Sequence, residues 1–244
     1  MANPVKIKCA VSAIVNHDDT VSTITLKPSR PLPNFHPGQF LHLALDPFDP
    51  RGGFWPESRV FSIASLPSGP ELIIAYAIKG AFTQRMREEI EVGKELWIKL
   101  PYGHFSLTPS PQQEEIILVA GGTGITPFIA FLLNEMRRPS RMKLKLVYGV
   151  KKPHLFLFTD ILMRVVSNRN DFKLLSFSEE LWYEKGHFPI SEGSLALDKI
   201  WQAADDPTKA TFYLSGPIVM ISTFKEGLLG KGIKPENIRI DEWE

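Results

Sequence analysis

The chain has 244 residues, 43% of them apolar and 23% charged, a composition that builds packed cores and excludes a disordered tail or a fibre. Its 28 basic and 27 acidic residues leave a net charge of +1. The balance holds in both halves, so the cationic excess that a phosphate-backbone partner needs is missing and nucleic acid is excluded as a partner.

The length, about one and a half typical domains, favours two compact units. The single cysteine, Cys9, cannot build an intrachain disulfide, a Cys-rich zinc site or a cysteine-ligated iron–sulfur cluster. The 6 histidines show no metal-ligand spacing, so no metal site is expected. The opening MANPVKIKCAV lacks the apolar core and cleavage site of a signal peptide, and no apolar run nears the ~20 residues that cross a bilayer. A cytoplasmic protein without a membrane span is the expectation. No pattern in the chain specifies an oligomeric state.

In chain order, the first part alternates short β-rich runs with turn residues: VKIKCAVSAIV, TVSTITLKP, GQFLHLALD, SRVFSIAS, ELIIAYAIK and ELWIKLP. Pro- and Gly-rich connections such as PSRPLPNFHPG separate them, and one helical insert, FTQRMREEI at 82–90, interrupts them. This pattern predicts an antiparallel sandwich or barrel. LTPSPQQE at 107–114 reads as a linker. The rhythm then becomes strand–helix. EEIILVA is a continuous apolar run suited to a buried parallel strand, and ITPFIAFLLNEMRR follows with helical spacing. KLKLVYGV, FKLLSFS and ATFYLSG give further parallel strands, with helices expected at 153–166 and 217–229. The alternation predicts a doubly wound α/β fold.

Three local patterns suggest chemistry. GGTGITP lies between a buried strand and a helix; Gly121, Gly122 and Gly124 allow close backbone approach to an anion at the helix start, and Pro127 suits an early helical position. A ligand-free βα turn is the alternative. RVFS carries Arg59 in a strand, where a guanidinium can face solvent or hold a phosphate. KGAFT runs a strand into the helical insert, so Gly80 and Thr83 can cap the helix or bind a second anion. No GxSxG elbow appears, and Gly227, Gly230 and Lys231 lack P-loop spacing.

Taken in order, these motifs resemble the ferredoxin–NADP reductase superfamily. The family's flavin motif is matched by Arg59, Phe61, Ser62 and Ser65, its pyrophosphate loop by Gly80 and Thr83, and its GGTG(I/V)TP loop in full. Ser215, Gly216 and Pro217, with Met220 after them, stand where members often have Cys-Gly-Pro; HPGQF and PYGHF resemble family barrel strands. The resemblance implies an antiparallel six-stranded Greek-key β-barrel that binds flavin (1–108), followed by a doubly wound α/β domain with a parallel five-stranded sheet that binds NAD(P) (114–244). It implies FAD, with FMN as the other option, and NADH or NADPH as co-substrate.

The flavin contacts implied are Arg59, Val60, Phe61, Ser62, Ser65, Tyr76, Ile78, Lys79, Gly80, Ala81, Phe82, Thr83, Thr123 and Trp243. Arg59 would hold a phosphate, Phe61 would stack on the isoalloxazine, and Ser62 would bond near its reactive nitrogen. The nicotinamide nucleotide would meet Gly121, Gly122, Thr123, Gly124, Pro127, Ser215, Gly216, Pro217 and Met220. Ser62, Ser215 and Asp241 are the implied catalytic residues; Asp241 and Trp243 fit the family's terminal Glu-x-aromatic pattern best. Ser178 and Glu179 stand where NADPH-selective members carry Ser-Arg, which favours NADH, while Lys151, Lys152 and Lys185 oppose that choice. Electrons would leave for an external redox protein, such as a ferredoxin or an oxygenase component. The alternatives are a flavin or ferric reductase with a diffusible acceptor, and a non-catalytic nucleotide-binding subunit. The cluster Arg137, Arg138, Arg141, Lys143 and Lys145 could dock an acidic carrier or could complement a helix C-terminus.

Overall fold

A computed structural model of the chain describes residues 3–67, 69–106, 115–137, 142–180 and 188–241. The expected linker at 107–114, Arg138, Arg141, Lys185 and Trp243 lie outside the described residues. The chain divides into two compact units, residues 1–106 and 107–244.

The first unit contains β1 (Val5–Asn16), β2 (Val21–Pro28), β3 (Phe40–Ala44), β4 (Ser58–Ser62), β5 (Leu72–Ala77), α1 (Ala81–Glu89) and β6 (Glu95–Tyr102). Its antiparallel sheet runs β4-β3-β6-β1-β2-β5, the Greek-key order the sequence implies. Past the end of β4, Ala64 N–H donates to Ile73 O at 2.8 Å, drawing the two outer strands toward closure. Alternate residues of β1, β2 and β6 (Ile7, Cys9, Val11; Ile24, Leu26; Leu96, Ile98, Leu100) fill the interior. Cys9 is part of this core; burial pushes its thiol up to about 12, so it packs and does not react.

HPGQF and PYGHF turn out to form one junction. Gln39, buried, accepts from His36 N–H at 2.8 Å through its side-chain oxygen and donates to Gly103 O at 3.1 Å. Its own carbonyl accepts from Ile63 N–H at 3.1 Å, just past β4. Gly38 has φ +94, and a Cβ there would stand 1.9 Å from Phe105 O. Glycine is required at that position, and the junction fixes where β4 ends.

The second unit contains β7 (Glu115–Gly121), α2 (Thr126–Arg137), β8 (Lys143–Val150), α3 (Thr159–Asn168), β9 (Phe172–Ser178), β10 (Ser191–Glu192), α4 (Leu197–Ala203), β11 (Thr211–Ser215), α5 (Ile218–Gly230) and β12 (Ile238–Ile240). The parallel sheet runs β10-β9-β8-β7-β11-β12. Five strands match the implied sheet, and the two-residue β10 adds a sixth at the edge. Helix α3 starts later than the pattern at 153–166 predicts. A single 3₁₀ turn occupies Pro153–Leu155, and Phe158, with φ +59, breaks the helical path before Thr159.

The chain doubles back at the centre of the sheet. From β7 the order proceeds one way to β8 and β9, and the other way to β11 and β12. The carboxyl ends of β7 and β11 therefore flank the topological switch point, where open α/β sheets bind ligands.

The opposite ends of the strands are held by buried ion pairs. Lys145, 3% exposed, stands 2.6 Å from Glu115 Oε1 and also contacts Asp205, which pairs with Lys143 at 2.8 Å. Arg169, likewise buried, donates to Glu135 at 2.7 Å and to both Asp171 oxygens at 2.9 and 2.8 Å, joining α2 to the start of β9. Lys145 is thus a structural cation rather than part of a docking patch, and Lys143 is committed to Asp205.

Hydrogen bonds from Lys143 and Lys145 hold the Asp205 carboxyl below the usual range, and the Arg169 guanidinium does the same for Asp171. Both lowered values stabilise the fold above the unfolded carboxylate range. That contribution is expected to fade below about pH 4 in urea titrations followed by circular dichroism. Lys145→Met strands the buried Glu115 carboxylate and is expected to cost about 3–5 kcal/mol in the same assay, with Glu115→Leu/Lys145→Met recovering most of the loss.

Candidate functional site

In the first unit the implied flavin residues occupy β4, the end of β5 and the start of α1. The chain leaves β5 at Ala77, and Gly80 caps α1 in extended conformation. Thr83 Oγ1 accepts from Lys79 N–H at 2.9 Å and from Gly80 N–H at 3.2 Å, and donates to Gly80 O at 3.1 Å. This closes the loop and aims the first-turn amides of α1 outward. A Cβ on Gly80 would meet nothing within 4 Å, so the loop is open there.

Arg59 extends from β4 to this helix, with its guanidinium carbon 5.1 Å from the Phe82 ring centroid. The cation therefore stands beside the first turn of α1. Two segments separate in the sequence, RVFS at 59–62 and KGAFT at 79–83, form one corner. Val60 is half-buried on β4, while Ile78, Lys79, Ala81 and Thr83 line the loop at half-buried or exposed positions.

Ser62 is the anomaly on β4. It is 4% exposed, yet its Oγ has no hydrogen-bond partner among the described residues. An unpaired buried hydroxyl costs free energy, so such a group signals a partner beyond the protein's own atoms or a local strain. Its neighbours are already satisfied. Ser65 Oγ accepts from Ile73 N–H at 3.2 Å. Tyr76 is hydrogen-bonded to Ser22, and burial raises its phenol above the ordinary value. Phe61 belongs to the barrel core, edge-on to Tyr76 at 6.3 Å and 7% exposed, which leaves little of it accessible.

In the second unit β7 ends at Gly121 and passes through a single 3₁₀ turn, Gly122–Ile125, into α2. Pro127 is the second residue of α2, as the sequence suggests. Thr126 Oγ1 donates back to Thr123 O at 2.6 Å and tightens the entry. Gly122 adopts φ +55 with open space where a Cβ would be, and Thr123 is half-buried beside it. These residues present backbone amides at a helix start, the chemistry of an anion site.

The glycines of this loop are also packing residues. A Cβ on Gly124 would stand 2.3 Å from Ser215 O and 2.5 Å from Gly216 N, so the turn after β7 rests directly on the turn after β11. Gly121 is crowded by Met220 Sδ and Pro217, and Gly216 carries φ +149. Ser215, 1% exposed, donates to Asp241 Oδ2 at 2.9 Å, and Asp241 N–H donates to Leu214 O at 2.9 Å. Asp241 reaches this place because β12 pairs with β11. Two implied catalytic residues, 26 positions apart, are thus in direct contact at the switch point.

At the end of β9, Ser178 is buried and donates to Glu180 O at 2.8 Å, whereas Glu179, just past the strand, is exposed. Lys151 and Lys152 are exposed past β8. Sequence reasoning missed Glu57, whose carboxylate binds Arg59 at 2.8 Å. The available signal was its i, i+2 spacing from Arg59 beside an extended strand, which puts both on one face. Among the described residues, no group of three or more His, Cys, Asp or Glu is placed to hold a metal ion, and no helix is long and apolar enough to cross a membrane.

Comparison with known proteins agrees with this geometry. The oxidoreductase NAD-binding domain family matches residues 118–226, from β7 into α5. A flavohemoprotein of Rhizobium meliloti is 27% identical over 91% of the chain and 57% of its own length. The reductase component of a Rhodococcus jostii propane 2-monooxygenase is 23% identical over 97% of the chain and 63% of its own length. Among solved structures, the flavohem-like FAD/NAD-binding domain of a Vibrio cholerae nitric oxide dioxygenase superposes with TM-score 0.78 at 18% identity, covering 96% of this chain and 97% of that one. The chain thus has the two-domain fold of the ferredoxin–NADP reductase superfamily, and its residues 118–226 match the oxidoreductase NAD-binding domain. It spans about three fifths of the length of these two curated relatives.

Gly124→Ala forces a methyl against the Ser215 carbonyl and is expected to destabilise the second unit by about 1–3 kcal/mol in urea unfolding. Gly122→Ala strains only a left-handed residue with free space and is expected to cost about 1 kcal/mol. Equal effects would show that the contact between the two turns carries no energy.

Proposed function

We propose that the protein is a flavin-dependent NAD(P)H oxidoreductase whose first unit holds FAD and whose second unit receives the nicotinamide nucleotide. The observation that carries this reading is the buried, unpartnered Ser62 hydroxyl at the end of β4. It stands in the same strand as Arg59, which meets the open first turn of α1. A polar ring with an attached phosphate fits both at once: the ring satisfies Ser62, and the phosphate satisfies the guanidinium and the α1 amides. FMN offers the same two features, so the corner accepts either flavin.

A bound flavin supplies the redox chemistry, accepting two electrons from the nicotinamide and releasing them onward. The residues of the chain bind and orient. Arg59, the amides at 80–83 and Thr83 hold phosphate, and Ser62 donates a hydrogen bond to the ring. For Phe61 to stack, it must turn part of its ring out of the core. The amides of 121–124 take the nucleotide's phosphates at the start of α2. Ser215 directs its proton to Asp241, which fixes its hydroxyl in one orientation beside the loop that would receive the nucleotide. That fixed orientation offsets the loss of the larger, softer cysteine sulfur that members of the superfamily often carry.

The exposed Glu179 after β9 opposes a further phosphate on the nucleotide, which favours NADH over NADPH. The acceptor read from the reductase-component relatives is an external redox protein such as a ferredoxin or an oxygenase component.

The test is direct. Protein supplied with FAD or FMN is expected to bind it and turn yellow, and anaerobic NADH is expected to bleach that colour faster than NADPH. A colourless protein sinks the proposal, and a coloured protein that NADH leaves unreduced favours a nucleotide-binding subunit without turnover. Ser62→Ala separates site from scaffold: removing an unpaired buried hydroxyl is expected to leave urea stability unchanged or raise it, while slowing flavin reduction about tenfold.

A further inference from the structure

The guanidinium assigned to the flavin phosphate is already engaged. Arg59 Nη2 binds Glu57 Oε1 at 2.8 Å and Arg59 Nη1 donates to Ser58 O at 2.9 Å, while the guanidinium plane lies over Phe82. The Glu57 carboxylate therefore takes a donor of the fork at the corner where the α1 amides emerge. Both side chains are open to water, at 52% for Arg59 and 55% for Glu57. An ion pair so exposed is weak and readily exchanged, and a phosphate oxygen is a stronger acceptor for the same fork.

We infer that Glu57 competes with the flavin phosphate for Arg59, and so sets how tightly the protein retains its flavin. This rests on the flavin reading above. The competition has a definite sign. Glu57 is held next to Arg59 by chain connectivity, so its local concentration is fixed whatever the flavin supply. A flavin phosphate must displace it and then tolerates a carboxylate nearby, a like-charge contact that lowers affinity twice over. The consequence is a flavin that exchanges with solution more easily than the geometry of Arg59, α1 and Ser62 alone would allow. The effect belongs to the phosphate and not to the ring, because Ser62 is buried and is not among Glu57's contacts.

The experiment measures dissociation constants of FAD, FMN and riboflavin by quenching of flavin fluorescence, in wild type, Glu57→Gln, Arg59→Gln and the double variant. Riboflavin carries the ring without phosphate. Glu57→Gln is expected to tighten FAD and FMN about two- to fivefold at low salt, with the gain shrinking at high salt. Riboflavin is expected to bind unchanged, and Glu57→Gln is expected to tighten FAD and FMN less when Arg59 is already Gln, since only the like-charge contact is then relieved. Circular dichroism of each variant checks the fold. If FAD and FMN bind with the same or lower affinity in Glu57→Gln, or riboflavin gains as much as they do, the competition is overturned and the flavin reading stands. If none of the three flavins binds wild type, the flavin reading falls and takes this inference with it.

Discussion

The second unit depends on a single close approach. With Gly124 against the Ser215 carbonyl and the Gly216 amide, the turn leaving β7 lies on the turn leaving β11. Adjacent parallel strands diverge at a switch point because their following helices go to different places. A side chain at Gly124 would wedge the two turns apart. Its absence keeps the turn that opens α2 packed against Ser215 and Gly216. The packing requirement therefore falls on a glycine of the loop proposed to bind the nucleotide.

The two ends of that sheet are built on opposite principles. At the strand starts, Lys145, Glu115, Asp205, Arg169, Glu135 and Asp171 form ion pairs, several of them buried. Buried pairs of this kind add little net stability, since desolvation cancels much of their attraction, but they penalise any register other than the one that pairs every charge. At the strand ends of β7 and β11 stand Gly121 and Ser215, and the buried carboxylate there, Asp241, accepts a hydrogen bond from Ser215. The ion pairs of Lys145 and Arg169 lie at the edge away from the proposed anion site. The barrel solves the corresponding problem with one neutral side chain. Gln39 ties HPGQF to PYGHF and, through its own carbonyl, to the exit of β4, so the end of the Ser62 strand is fixed by hydrogen bonds among neutral groups.

What the sequence disclosed was local. β-rich runs with Pro and Gly between them announced the barrel, and EEIILVA followed by GGTGITP announced the start of the α/β unit, because period and turn chemistry are written in consecutive residues. Pro127 and the glycines could be placed for the same reason. The contact of Ser215 with Asp241 could not be, since it depends on β12 returning to pair with β11. Lys145 looked like a surface cation because its strand neighbours are basic, and only the fold brings Glu115 and Asp205 to it. Helix α3 begins late because Phe158 takes a left-handed conformation that no propensity of phenylalanine announces. Glu57 was overlooked because its importance is relational: a carboxylate matters there only once Arg59 is seen to lie over Phe82.

The division of labour within the molecule follows from what its side chains can do. At the two candidate sites they are hydroxyls, a carboxylate, a guanidinium, an amine and backbone amides, which bind, orient and donate hydrogen bonds. Cys9, the one thiol, is held in the barrel core with its proton stabilised by burial. None of these groups accepts a hydride. On the proposed function these groups would hold two redox-active molecules, with phosphates at the N-termini of α1 and α2 and rings beside the hydroxyls. A site that bound only an anion would have no use for an unpaired buried serine. Ser62 is thus the residue that turns two phosphate corners into an argument for a flavin.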